Sequence, residues 1–275
     1  MTNKLEPILL QKQLEVSTLY HQLEAESDHP IARVLRGDYP LCKGGRRTQC
    51  GGGIFKNSLR SNTLNVIAEI KRKSPSKGML ASIADPKRLA QRYIEGGASA
   101  ISILTDNKFF GGAIEDLVQV ANALTNNPTP ILRKDFIIDK VQIAEASVAG
   151  ASAVLCIIAV LGKKTKELIE FANSIGIDVV VEIHDNDELK VALDSGAQII
   201  GVNNRNLQSF EVDINCALEI VADIPSNIIK IAESGITDPL LARQYYAAGF
   251  DAVLIGEALV TSQNPEQFIR ECRYG

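Results

Sequence analysis

From residue 66 onward, short runs of branched apolar residues recur along the chain. Longer stretches separate them, with apolar positions returning every three or four residues. Eight runs occur: VIAEI (66–70), SAISIL (99–104), PILRKD (130–135), AVLCII (153–158), DVVVEI (178–183), IIGVNN (199–204), IIKIAE (228–233) and DAVLIG (251–256). A strand with one face in water alternates apolar and polar residues. Near-continuous apolar runs fit strands covered on both faces, as in a parallel sheet flanked by helices. The intervening stretches predict amphipathic helices. Asp85-Pro86 supplies an N-cap followed by proline at the first helical position, with Leu89, Ala90, Tyr93 and Ile94 on one face. Asp139, Asp238-Pro239 and Asn264-Pro265 open three more.

An internal echo strengthens this pattern. Gly97, Gly150, Gly196 and Gly249 each fall between a helix and a strand, at separations of 53, 46 and 53 residues. Each separation is about two strand-plus-helix modules, and glycine there can take the left-handed conformation that ends a helix. Eight modules close an α/β barrel of the (β/α)8 kind, also called a TIM barrel, over residues 65–275. The rival is a doubly wound open sheet. It would prefer GxGxxG after the first strand, and IKRKSPSKG stands there instead. Residues 1–64 form an N-terminal extension, helical over 5–25. Residues 36–53, Arg36 followed by GDYPLCKGGRRTQCGGG, read as an exposed connector; their glycines lack the GK[ST] ending of a phosphate-binding P-loop.

Composition narrows the classes. The 275 residues suit one barrel, and 45% are hydrophobic, with no Trp and 5% aromatic, so aliphatic residues must fill the core. A net charge of −4 argues against a general nucleic-acid binder. No run approaches the length of a membrane span, and the N-terminus lacks the apolar stretch of a signal peptide. Five cysteines, without CxxC or Cys/His metal spacing, suit a reduced, cytoplasmic protein. Cys42 and Cys50 lack two further ligands for a metal.

In this fold the active site forms at the C-terminal ends of the strands. Those ends carry Glu69 and Lys71, Lys134 and Asp135, Glu182, then Asn203, Asn204 and Arg205, and Glu233 with Ser234. Glu69 and Lys71 are two apart and share a face. Any one of these is explained by a rim salt bridge. Charged or polar groups at five strand ends point to a ligand, because stacked buried charges are costly unless paired or used. The run Lys71, Arg72, Lys73, Lys77 fits an active-site loop for anionic groups better than a nucleic-acid patch. AESGI (232–236) and LIGEA (254–258) end the last two strands, where phosphorylated ligands often bind in barrels. Gly235 and Gly256 let a phosphate approach main-chain N–H groups, and a short helix after Gly256 would add its N-terminal dipole.

The ordered series IAEIKRKSPSKG, SILTDNKFFGG, ILRKDFIID, VVVEIHD, IGVNNRNLQSFEVD, AESGI and VLIGEAL resembles the indole-3-glycerol-phosphate synthase family of tryptophan biosynthesis, from about Asn65 to Arg273. The resemblance implies a lyase that closes the ring of 1-(2-carboxyphenylamino)-1-deoxyribulose 5-phosphate, with loss of CO2 and water, and needs no metal or cofactor. It puts Lys134 in the place of the general acid and Glu182 in that of the acid/base of dehydration. Glu69 and Lys71 take the place of a second acid/base pair, and which pair serves which step stays open. Lys71, Ser74 and Arg205 would face the substrate carboxylate. Asn203 and Glu233 would hold its oxygens, and Phe110, Phe136 and Leu155 would sandwich the ring. Ser234, Gly235, Gly256 and Glu257 would bind phosphate through their backbone, with the Glu257 carboxylate turned away.

Two rivals stand beside this. A phosphoribosylanthranilate isomerase-like barrel would carry an acid/base Cys on the first strand, where Glu69-Ile70-Lys71 stands. A phosphosugar-binding barrel without catalysis would not retain Lys71, Lys134 and Glu182 together. A small phosphorylated molecule is the expected partner, with no nucleic acid or membrane, and the protein is expected to be a monomer.

Overall fold

The computed structural model describes residues 5–38, 53–207 and 209–275. Cys42, Cys50 and most of the 36–53 stretch lie outside them. Eight parallel strands follow one another around a closed barrel: β1 (Asn65–Ile70), β2 (Ala100–Leu104), β3 (Ile131–Lys134), β4 (Ala153–Ile157), β5 (Asp178–Ile183), β6 (Ile199–Asn203), β7 (Ile229–Glu233) and β8 (Ala252–Ile255). β8 pairs back with β1 from Asn65↔Ala252 to Ala68↔Ile255, which closes the ring. The barrel is therefore a (β/α)8 barrel, as the apolar runs predict. Several strands stop one residue inside the predicted run. Pro130 has no N–H for the ladder, and Ile158 already starts the helix Ile158–Leu161.

Alternation along each strand builds two cores. Val66, Ala68 and Ile70 on β1, Val179, Val181 and Ile183 on β5, and Val253 and Ile255 on β8 face the helices. Ile67, Leu132, Val180, Ile199, Ile229, Ile231 and Leu254 have the opposite parity and fill the barrel interior. The helix starts follow the sequence: Asp85, Asp139, Asp238 and Asn264 each accept a hydrogen bond from the first-turn backbone. Gly97, Gly150, Gly196 and Gly249 sit at φ of 94°, 97°, 83° and 106°, the left-handed conformation expected of the echo.

The N-terminal segment reaches both ends of the barrel. Helix Leu5–Ala25 sends Leu5 and Ile8 into the interior cluster beside Phe136 and Leu155. The short helix Ile54–Ser58 covers the opposite end, with Phe55 fully buried. Asp178 Oδ2, at the start of β5, accepts the N–H groups of Phe55 (2.9 Å) and Lys56 (3.0 Å). The loop after β1 forms a small antiparallel hairpin, Lys73–Ser74 with Gly78–Met79. No described helix is long and apolar enough to cross a membrane.

Candidate active site

The interior parity that is apolar along most of each strand turns charged at the C-terminal rim. Its last inward positions are Glu69 on β1, Lys134 on β3, Glu182 on β5, Asn203 on β6 and Glu233 on β7. They open onto a cavity of about 700 Å3. The fifteen residues to which the family resemblance gives a role lie on its wall: Glu69, Lys71, Ser74, Phe110, Lys134, Phe136, Leu155, Glu182, Asn203, Arg205, Glu233, Ser234, Gly235, Gly256 and Glu257.

Lys134 is the electrostatic centre. Its Nζ donates to Glu182 Oε2 and Glu233 Oε2, each at 2.8 Å. Burial alone would favour a neutral amine. The carboxylates of Glu182, Glu233 and Glu69 outweigh it and hold the ammonium well above its ordinary pKa. The two carboxylates are not equivalent. Burial would raise Glu182, but Lys134, the nearby His184 and the Asn203 amide (2.9 Å to Oε1) hold it below the usual range. Burial pushes Glu233 up to about 7, the Lys134 pull being opposed by the Glu182 charge. Glu233 Oε1 has no hydrogen-bond partner among the described residues. Of the two carboxylates, Glu233 is the one that burial and the Glu182 charge bias toward the protonated form.

Two glycines make room for these carboxylates. A Cβ at Gly201 on β6 would overlap Glu233 Oε1 and lie 3.1 Å from its Cδ. A Cβ at Gly256 would overlap Glu69 Oε1 and lie 3.0 Å from Lys71 Nζ. Glu69 and Lys71 are themselves paired at 2.6 Å. Gly256, also the N-cap of helix Glu257–Val260, thus leaves the room that the Glu69–Lys71 pair occupies.

At the end of β7 the backbone turns sharply. Ser234 (φ 65°) and Gly235 (φ 78°) are both left-handed, and for the serine that conformation costs on the order of 1 kcal/mol. Asn204 holds it there: its Nδ2 donates to the Ser234 carbonyl (3.1 Å) and to Tyr245 Oη (2.9 Å). Asn204 therefore faces the outer helices, while Asn203 faces the cavity. Ser234, Gly235 and the Gly256 turn line the same side, an anion-ready surface of main-chain groups. The Glu257 carboxylate is held in an ion pair with Lys77. The basic run divides its tasks: Lys71 and Lys77 line the cavity, Arg72 pairs with Asp116, and Lys73 donates to the Lys108 carbonyl at 2.6 Å. Arg205 reaches Ser76 Oγ (3.3 Å) and the Phe210 carbonyl (3.0 Å), and burial lowers its pKa. Opposite lies a tilted pair, Phe110 and Phe136, with ring centroids 6.1 Å apart.

A family model for indole-3-glycerol phosphate synthase matches residues 47–272. The chain belongs to that family. The match begins 18 residues before Asn65, where the motif resemblance starts, so the family pattern reaches into the N-terminal extension. Proteins named indole-3-glycerol phosphate synthase from Parafrankia sp. and Mycolicibacterium gilvum are 46% and 48% identical to the chain. The first covers 78% of this chain and 79% of its own length, the second 78% of each. The Streptomyces griseus protein of that name is 45% identical, covering 82% of each. Solved structures agree on the fold alone. A 3-hexulose-6-phosphate synthase from Salmonella typhimurium superposes with a TM-score of 0.62 at 14% identity, over 76% of this chain and 96% of its own. A thiamine phosphate pyrophosphorylase from Pyrococcus furiosus gives 0.57 at 15%, over 76% and 93%.

Within this indole-3-glycerol phosphate synthase fold, the motifs leave some cavity and rim residues unremarked. Phe210 lines the cavity with φ at 63°, and Leu207 stands beside it. Their signal was two apolar side chains inside an otherwise polar loop, NRNLQSFE. His184 places Nε2 3.7 Å from Glu182 Oε1 and Nδ1 3.0 Å from Glu188 Oε2. Burial would lower its pKa, but the two glutamates raise it. Only its place two residues after Glu182 in VVVEIHD, on the same strand face, marked it.

Proposed function

We propose that the protein converts 1-(2-carboxyphenylamino)-1-deoxyribulose 5-phosphate into indole-3-glycerol phosphate, CO2 and water. The observation that carries this is a charged lysine held between two buried carboxylates, in a cavity with an aromatic pair and a main-chain anion surface on its wall.

The ring carbon bearing the carboxylate attacks the ketose carbonyl, whose oxygen gains charge and then a proton. The Lys134 ammonium supplies both field and proton. Its raised pKa keeps it charged at rest, and an alkoxide is basic enough to take the proton as it forms. Loss of CO2 leaves the bonding pair to restore the aromatic ring. Dehydration then needs a proton delivered to the departing hydroxyl and one removed from the neighbouring carbon. Glu182 is assigned to this step. The Glu69–Lys71 pair is the second acid/base pair, at the other side of the cavity mouth. Asn203 and Glu233 hold substrate oxygens, and Lys71, Ser74 and Arg205 face the substrate carboxylate. Phe110, Phe136 and Leu155 take the ring. Backbone N–H groups of Ser234, Gly235, Gly256 and Glu257 take the phosphate, with Lys77 supplying further positive charge.

The reading also takes the protein as a monomer, and as cytoplasmic, the latter supported by free thiols at Cys156, Cys216 and Cys272. Incubation with the anilino-ribulose phosphate, followed by indole absorbance and CO2 release, tests it. Product formation at enzymatic rates is expected. No product from that substrate, with turnover of phosphoribosylanthranilate instead, would replace synthase by isomerase.

A further inference from the structure

The helix Leu5–Ala25, outside the barrel wall, brings to the rim one charged side chain that this chemistry does not use. Lys12 is 1% exposed. Its Nζ lies 2.8 Å from Asp135 Oδ1, 2.9 Å from Asp106 Oδ2 and 2.8 Å from Glu15 Oε2. Burial alone would drive the ammonium toward neutrality. The Asp135 and Asp106 carboxylates reverse that and hold it well above its ordinary range. A lysine on a peripheral helix ordinarily keeps its charge in water.

The remaining contacts of the two aspartates explain what such a lysine does. Asp106 Oδ1 accepts the N–H groups of Phe109 (2.7 Å) and Phe110 (3.2 Å), capping the single turn Asn107–Phe110. Asp135 Oδ1 accepts the N–H of Phe136 (2.8 Å), and its Oδ2 is held by Thr105 Oγ1 (2.5 Å) and Arg133 (3.3 Å). Each aspartate therefore fixes the backbone of one member of the Phe110–Phe136 pair and offers an oxygen to Lys12. Among the described residues Asp106 Oδ2 has no aligned hydrogen-bond donor, and the Lys12 ammonium charge compensates it. Asp106 and Asp135 lie at the ends of adjacent strands, β2 and β3, and Lys12 spans them.

The geometry points to Lys12 as a positioning residue that sets the Phe110–Phe136 slot, so that the helix outside the barrel governs the grip on the aromatic end of the substrate. The identity of that ring rests on the reaction proposed above; the clamp itself does not.

The test uses the full chain and two ligands measured by calorimetry. One is 1-(phenylamino)-1-deoxyribulose 5-phosphate, which carries the ring but no carboxylate to lose. The other is ribulose 5-phosphate, which has no ring. Lys12→Met is expected to weaken the first about tenfold, on the scale of one lost aromatic contact, and to leave the second within about twofold. KM for the reactive substrate should rise more than kcat falls, and Lys12→Arg, which keeps the charge, should recover most of the ring affinity. Equal weakening of both ligands, or of neither, overturns the proposal and leaves Lys12 holding only the helix. Lys12→Met leaves two buried carboxylates without their cation. If it does not fold, Asp106→Asn decides by the same ligand split, because it keeps the backbone cap and removes the ion pair. Failure of the wild-type protein to form an indole overturns the reaction and leaves the ligand split as a separate readout.

Discussion

Glu182→Gln is the perturbation on which the proposed chemistry turns. Glu182 uses both oxygens: Oε1 accepts from Asn203 Nδ2 at 2.9 Å and Oε2 accepts from Lys134 Nζ at 2.8 Å. A glutamine has one acceptor oxygen. If that oxygen meets Lys134, the new NH2 faces the Asn203 NH2. Asn203 cannot turn over freely, because its Oδ1 accepts the Arg205 N–H at 3.0 Å. One buried donor pair is left mismatched, a loss of about 1–3 kcal/mol of stability. Loss of a positioned acid/base is larger for the rate, on the order of 10²–10⁴, or about 3–5 kcal/mol of barrier. The variant should therefore melt modestly lower and bind substrate, yet form indole far more slowly. Single-turnover absorbance, with melting on the same samples, measures both. A normal rate per folded molecule refutes the assignment and makes Glu182 only an anchor for Lys134. A second readout is independent of rate size. The Glu182 charge helps to raise Glu233, so the variant's Glu233 should titrate below the wild-type value of about 7. A carboxylate raised in the folded state contributes stability that is lost as pH rises through its folded pKa. The wild type should lose that contribution up to about pH 7, and the variant should finish losing it at lower pH.

Three further outcomes follow from the same geometry. Lys134→Met should lower turnover by roughly three decades or more; because two buried carboxylates lose their cation, it should also be less stable at pH 9 than at pH 6, and turnover within tenfold of wild type would remove Lys134 from the acid role. Gly201→Ala should push the Glu233 carboxylate off Lys134, costing about 1–3 kcal/mol of overpacking and at least roughly tenfold in turnover; an unchanged rate would show that the Glu233 position is immaterial. Removing the substrate phosphate should raise KM strongly and lower kcat as well, since remote binding energy orients the ring; equal processing of the dephosphorylated compound would move the phosphate site away from Gly235 and Gly256.

Much of this was legible in the chain because strand parity and strand ends are local properties. The eight apolar runs give the eight strands within about a residue, and parity puts Glu69, Glu182 and Glu233 inward. What stayed hidden depends on register between distant strands. Lys134 meets Glu182 and Glu233 only because the closed barrel aims β3, β5 and β7 at one axis. Gly201 reads as an ordinary small residue until Glu233, one strand over, occupies its side-chain space. The basic run after β1 suggests four cations for one anion, whereas the hairpin turns Arg72 and Lys73 onto Asp116 and the Lys108 carbonyl. Lys12, in the polar stretch LQKQLE, looks like a solvated lysine because its partners Asp106 and Asp135 are some hundred residues away.

The two end pieces of the N-terminal segment bear on the order of folding events. Phe55 packs among interior side chains drawn from strands between β1 and β8, and Asp178, which caps its helix, comes from β5. These neighbours come from strands spread around the whole ring, so the plug's contacts are expected to form late, after the main folding barrier. Energy stored in such late contacts governs how fast the native state opens rather than how fast it forms. Phe55→Ala, a loss of about 3–5 kcal/mol, should accordingly speed unfolding in stopped-flow denaturant jumps and leave the refolding rate nearly unchanged; an equal slowing of refolding would place the plug in the nucleus. A segment outside the barrel wall thereby acts on the lifetime of the folded enzyme.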